Sequence, residues 1–196
     1  MTGSDSSAVV FASAAAWQEW LESEHSRSDG LWLKLAKKAA AEPTISYTEA
    51  LDVAVCFGWI DAQRRGLDDQ HWLIRFTPRR PRSKWSKINT EKAELLIATG
   101  RMRPAGLREV QNAKADGRWA DAYAGARTIT VPGDLAEALA ANPAAADFFE
   151  VISSTNRYAI LYRIGTVKRP ETRAKKIAQF VQMLAEHQTI HPETAG

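Results

Sequence analysis

Along the first hundred residues the apolar positions change their spacing several times, and each change marks an expected element. In SAAAWQEWLESEH, Trp17, Trp20 and Leu21 recur at helical spacing, which predicts a helix with one buried aromatic face. GLWLKLAKK then alternates, with Leu31, Leu33 and Leu35 on one side and Trp32, Lys34 and Ala36 on the other, the pattern of a strand. SYTEALDVAVCFG returns to helical spacing. Ser46 followed by Glu49 has the form of a capping box, Gly58 supplies a stop, and a mostly buried helix is expected over residues 47–57.

WIDAQRR, GLDDQ and HWLIRFT read as two strands joined by a five-residue loop over residues 66–70. That loop length pairs Arg65 with His71, Gln63 with Leu73, Asp61 with Arg75, and Trp59 with Thr77. Ile60, Ala62, Trp72, Ile74 and Phe76 then form an apolar face with Arg64 at its rim, while Trp59, Asp61 and Arg75 share the polar one. From INTEKAELLIATG onward the pattern is helical. Asn89 or Thr90 is the expected cap of that helix, and Pro104 opens the next. An irregular connector follows, then DLAEALAAN with Asp134 and Glu137 in capping-box spacing, PAAADFFEVIS and STNRYAILYRI. In RPETRAKKIAQFVQMLAEH, Ile177, Phe180, Val181 and Leu184 fall on one stripe.

The expected architecture is α+β. A small, twisted, largely antiparallel sheet with flanking helices occupies residues 9–100, and a helical C-terminal region over 101–187 packs on it. Residues 1–8 are expected to be disordered and 188–196 to form a flexible tail.

Composition narrows the class. A single cysteine excludes an internal disulfide, and no apolar run approaches the roughly 20 residues of a membrane span. The N-terminal stretch lacks a basic region ahead of its apolar residues, so the expected location is the cytoplasm. The net charge of +3 is unevenly distributed: residues 64–103 hold eleven Lys/Arg against four Asp/Glu. The densest part is FTPRRPRSKWSK, where Pro78 and Pro81 exclude a continuous helix.

Those residues suggest an anion site. Arg75, Arg79 and Arg82 are candidate donors, since guanidinium groups match carboxylate and phosphate. Trp59 and Trp85 would form aromatic walls, Ser83 and Ser86 would add neutral donors, and Asp61 would orient Arg75. Trp17, Trp20, Trp32 and Trp72 are assigned to the core, and Trp59, Trp85 and Trp119, beside polar or basic residues, to a cleft. The expected partner is a small anionic or peptide-like ligand. One alternative is an enzyme that uses Asp61 as acid or base. The other is weak nucleic-acid binding through residues 79–87, which is not favoured because the whole chain is only weakly basic and has no nucleic-acid motif. No catalytic motif is present. Cys56 lies in an apolar helical stretch and reads as a core residue. Neither metal nor cofactor is expected: the four histidines lack ligand spacing apart from His187 and His191, and no phosphate-cradling glycine motif occurs. Oligomeric state is left open.

SYTEALDVAVCFGWIDAQRR, FTPRRPRSKWSKIN, GRMRPAGLREVQNAKADGRW and KRPETRAKKIAQFVQML, in this order, resemble the bacterial YdeI/OmpD-associated, or bacteriocin-protection, family. The resemblance covers residues 11–186. It implies a link to envelope stress and resistance to antimicrobial peptides, and it carries no reaction, cofactor or assigned catalytic residue.

Overall fold

The computed structural model describes residues 8–193, so residues 1–7 and 194–196 of the expected termini lie outside the described residues. The elements are α1 (Ala14–Glu24), β1 (Leu31–Ala36), α2 (Tyr47–Cys56), β2 (Trp59–Gly66), β3 (His71–Pro78), α3 (Lys87–Ala98), α4 (Pro104–Ala115), α5 (Gly133–Ala140), α6 (Pro143–Val151), α7 (Ser154–Gly165) and α8 (Pro170–Ala185). The three strands form one antiparallel sheet in the order β1-β3-β2, flanked by helices, and the C-terminal half is helical: the α+β architecture read from the sequence. The chain divides into two compact units, residues 1–85 with 89–122, and residues 86–88 with 123–196.

In the first unit, α1 and α2 form because their apolar residues repeat at helical spacing and their starts are capped. The Ser13 hydroxyl accepts from the Ala16 amide, and Ser46 with Glu49 makes the reciprocal capping box. Both helices contribute to a core with one face of the sheet. Trp17 and Leu21 of α1 and Ala50, Leu51 and Val53–Cys56 of α2 join Leu33, Leu35, Ile74 and Phe76. α3 and α4 add Ala93, Leu96, Val110 and Ala113, so the first core reaches beyond residue 100. Val9 bridges Leu33 and extends the sheet at its β1 edge.

The hairpin departs from the expected register. Arg65 pairs with Leu73 and Gln63 with Arg75, two positions from expectation, while Asp61 pairs with Phe76 and Trp59 with Pro78. The last pair is Gly66 with Trp72, so the loop lies over residues 67–71 rather than 66–70 and moves each partner by two, and a bulge between Asp61 and Gln63 then takes one position back. One extra residue interrupts the period of two, so Gln63 and Arg65 stay on the face of Arg75, but Trp59 and Asp61 are carried to the opposite one. Ile74 and Phe76 are buried as expected. The Asp68 carboxylate accepts from the Gln70 and His71 amides (2.8 and 2.7 Å) and closes this loop, five residues long as expected.

The second unit buries Leu135, Leu139, Phe149, Ile160, Ile164, Ile177, Phe180 and Leu184 among its helices. The Asn142 and Ser153 side chains cap α6 and α7. The expected capping box of α5 does not form, because the helix starts behind Pro132 and places Asp134 inside its first turn. Asp134 instead takes two hydrogen bonds from Arg173 of α8 (2.6 and 2.9 Å), and Arg173 also donates to the Ile164 carbonyl at the end of α7 (2.8 Å). Within the expected tail, His191 and Glu193 are tied down. The Asn156 amide donates to the His191 carbonyl and the Glu193 carboxylate (3.0 and 2.9 Å), and its oxygen accepts from the His191 amide (2.9 Å).

Two predictions follow from these contacts. A Cβ on Gly106 of α4 would collide with the Cys56 carbonyl oxygen and the Met102 sulfur, so Gly106→Ala should force α4 away from α2. The expected loss is about 1–3 kcal/mol, read as a lowered urea midpoint. In the second unit, the Arg173 bond holds the Asp134 carboxyl below the ordinary carboxylate range. A depressed carboxylate contributes its full stability above the unfolded-state pKa of about 3.9 and loses it as pH falls through the lowered folded value. Arg173→Met should therefore lower stability at neutral pH by on the order of 1 kcal/mol, because Asp134 is half exposed, and should shrink the loss on acidification, both measured by urea unfolding at neutral and acid pH.

Candidate functional site

The basic segment leaves β3 at Pro78 and turns back through Arg79–Trp85 before α3. Three contacts fix it. The Arg79 amide donates to the Gly58 carbonyl (2.9 Å), which anchors the segment to the start of β2. The Arg79 guanidinium lies over the Trp85 ring, 3.5 Å from its centroid, and Nη1 donates to the Lys84 carbonyl (3.2 Å). The Ser83 hydroxyl accepts from the Arg80 amide, and the Ser83 amide donates to the Arg80 carbonyl (2.8 Å each). The outer turn is thus Arg80-Pro81-Arg82-Ser83. Arg118 Nη1 buttresses it through the Ser83 carbonyl (2.9 Å), while the rest of that guanidinium pairs with Asp116.

The eight residues expected to line one pocket separate into several places. Arg79 is 7% exposed and Trp85 2%, so both belong to the interior of the first unit, where Trp85 also packs on Trp119 (4.8 Å between centroids). Trp59, 1% exposed, is a core residue against Trp17 and Trp20, and its indole N–H donates to the His25 carbonyl (3.2 Å). These burials replace the cleft expected near Trp59 and Trp85. The physical reason is that aromatic residues next to polar ones in sequence were turned inward, by the bulge at Trp59 and by the arginine stack at Trp85. Asp61 accepts from the Tyr47 hydroxyl (3.0 Å) and does not meet Arg75, which lies on the other sheet face with Asp29 as its nearest carboxylate (4.0 Å). Ser83 is occupied within the turn, and Ser86 bridges Tyr123 in the second unit. Of the candidate donors, Arg82 remains exposed, joined by Arg80, which the sequence reading had passed over. Among the described residues no carboxylate pairs with either guanidinium.

Cys56 is buried, and burial pushes its thiol above the ordinary range, with nearby Arg101 only partly opposing this. A neutral buried thiol is a poor nucleophile. Among the described residues no group of three or more His, Cys, Asp or Glu could hold a metal ion, and no helix is long and apolar enough to cross a membrane.

Comparison with known families divides the chain much as its two cores do. The family described as Domain of unknown function (DUF8412) matches residues 9–109, and the one described as Bacteriocin-protection, YdeI or OmpD-Associated matches residues 128–187. The chain belongs to the first family, whose match spans about half its length, and its helical C-terminal part matches the bacteriocin-protection family over residues 128–187 alone. Of the four stretches that carried the resemblance, the one containing Arg173 falls inside the bacteriocin-protection match; the basic turn falls inside the other. No curated protein and no solved structure matches the chain.

The position of Arg79 makes it a structural cation. Arg79→Ala should lower stability by about 2 kcal/mol or more, the scale of a desolvated cation–π contact, whereas Arg82→Ala on the outside should stay within about 0.5 kcal/mol. Thermal unfolding of the two variants measures the contrast.

Proposed function

We propose that this protein is a non-catalytic, cytoplasmic binding protein of the YdeI/OmpD-associated class that recognises a small anionic ligand through its cationic turn, as part of bacteriocin or antimicrobial-peptide resistance. The observation that carries the reading is the stack of Arg79 on Trp85. It holds the backbone of the turn from inside, while Arg80 and Arg82 stand outside on a segment already restricted by Pro78 and Pro81. Arginines on a preset backbone lose less conformational freedom on binding than those of a flexible tail, and the guanidinium fork suits carboxylate or phosphate. The resistance role rests on the description of the family that matches residues 128–187. Asp61 does not favour the enzyme alternative, because its carboxylate is already bonded to Tyr47 on the helix-covered side of the sheet.

A titration with inorganic phosphate, followed by backbone amide NMR shifts, tests the site. The amides of Arg80, Arg82 and Ser83 are expected to move and saturate, and the Arg80→Ala, Arg82→Ala double variant should weaken binding about tenfold or more while remaining folded. Shifts scattered over the whole surface, or an unchanged affinity in the double variant, would reject the turn as a ligand site.

A further inference from the structure

Residues directly opposite each other on neighbouring strands share a face of the sheet. Trp32, Arg75 and Gln63 make one row across the three strands, and Lys34, Leu73 and Arg65 make the next. Both rows lie on the face opposite Leu33, Ile74 and Phe76, which are buried in the helix-covered core. Arg65 sends its guanidinium to the ring of Trp32, 4.0 Å from the centroid. To reach from β2 to β1 its stem must cross the middle strand, and Leu73 beneath that path is only 2% exposed although it stands outside the main core. Arg75 lies against Gly30, where a Cβ would come within 3.0 Å of its Nε, and reaches to 4.0 Å from Asp29.

Three cations, Lys34, Arg65 and Arg75, thus occupy two adjacent rows. The carboxylate that approaches Arg75, Asp29, is 97% exposed and at the outer limit of an ion pair, so solvent screens it. Like charges gathered on one sheet face oppose folding, and an anion bound there would relieve that repulsion. Between the cations sits an indole whose face already accommodates a planar group at stacking distance.

We propose that this sheet face binds single-stranded nucleic acid, with the phosphate backbone passing Lys34, Arg65 and Arg75 and an unstacked base lying on the Trp32–Arg65 platform. The chemistry selects this partner over other anions. A small ion would gain little from an open, flat face, whereas an extended polyanion meets all three cations at once. A lipid surface would require protruding aliphatic side chains, and the leucine of this face is covered. Duplex nucleic acid keeps its bases stacked and cannot offer one to an indole, while single strands supply a π-face and a phosphate with every nucleotide. The modest charge of the whole chain is no obstacle, because the field is local to the sheet and is separate from the turn at residues 79–86.

Fluorescence anisotropy of a labelled oligothymidylate of about twelve nucleotides, with the full chain at about 50 mM salt, tests the proposal. Binding should weaken with salt, with a log–log slope of about −2 for three phosphate contacts. Arg65→Glu and Arg75→Glu should each reduce affinity about tenfold or more, and Trp32→Leu about fivefold or more. Lys34→Glu provides a third charge reversal if the Trp32 variant loses its native circular dichroism. Arg80→Glu with Arg82→Glu should leave binding within about twofold, which separates this face from the turn. The proposal is overturned by absence of binding, by duplex bound as tightly as single strand, or by full affinity in the folded charge-reversal variants.

Discussion

Trp17 is in ring contact with Phe11, Trp20, Trp59 and Phe76, at centroid separations between 5.1 and 6.3 Å, and its indole N–H donates to the Ala50 carbonyl (3.1 Å). Through that one side chain the N-terminal segment, α1, α2, β2 and β3 are held to a common centre. The bond to Ala50 matters as much as the apolar contacts, because an indole N–H buried without an acceptor would oppose the packing its ring supports. α1 is therefore held to α2 at this point as well as to the sheet, and both helices contribute to the same side of it. That leaves the sheet with two unlike faces, and the candidate chemistry follows from the asymmetry. Residues on the Trp17 side are packed; residues on the other side, together with the turn that follows β3, carry cations.

The same constraint accounts for the fate of Trp59. A strand with unbroken alternation would have placed Trp59, Asp61, Gln63 and Arg65 on one side. The bulge lets the start of β2 face Trp17 and Trp20 while its end faces the opposite way. A single strand thus contributes Trp59 to the core at one end and Arg65 to the open face at the other. Bulges near functional surfaces commonly re-aim a side chain in this way.

Much of the fold was legible because its signals are local. The Ser46–Glu49 box, the alternation in GLWLKLAKK and the stripe on α8 each name their element without reference to anything distant. The alternation already separates Trp32 and Lys34 from Leu31, Leu33 and Leu35; what it cannot supply is which face the helices cover, and the expected core position of Trp32 gives way to the face opposite Leu33. The candidate site was less legible for a related reason. Arg79, Arg80 and Arg82 look alike in sequence, and only the long-range hydrogen bond from Arg79 to Gly58 and its stack on Trp85 distinguish the buried one. The bulge, likewise, arises from pairing between strands and has no signature in WIDAQRR itself.

The arginines of this protein fall into two kinds once their partners are compared. Arg103 meets Glu22 (2.6 Å), Arg157 meets Glu150 (3.3 Å) and Arg173 meets Asp134, each joining two elements, so the charge is neutralised and the role is architectural. Arg65 is satisfied instead by an indole, Arg75 has only a distant and solvated carboxylate, and Arg80 and Arg82 project from a fixed turn. An aromatic face holds a guanidinium in place without cancelling its charge, so a stacked arginine keeps its long-range field while losing its mobility. That combination is useful to a binding surface and unnecessary for a scaffold. The proposals for the turn and for the sheet face therefore rest on those arginines of residues 64–103 that rings and prolines position at the surface, whereas Arg79, stacked but buried, stays architectural.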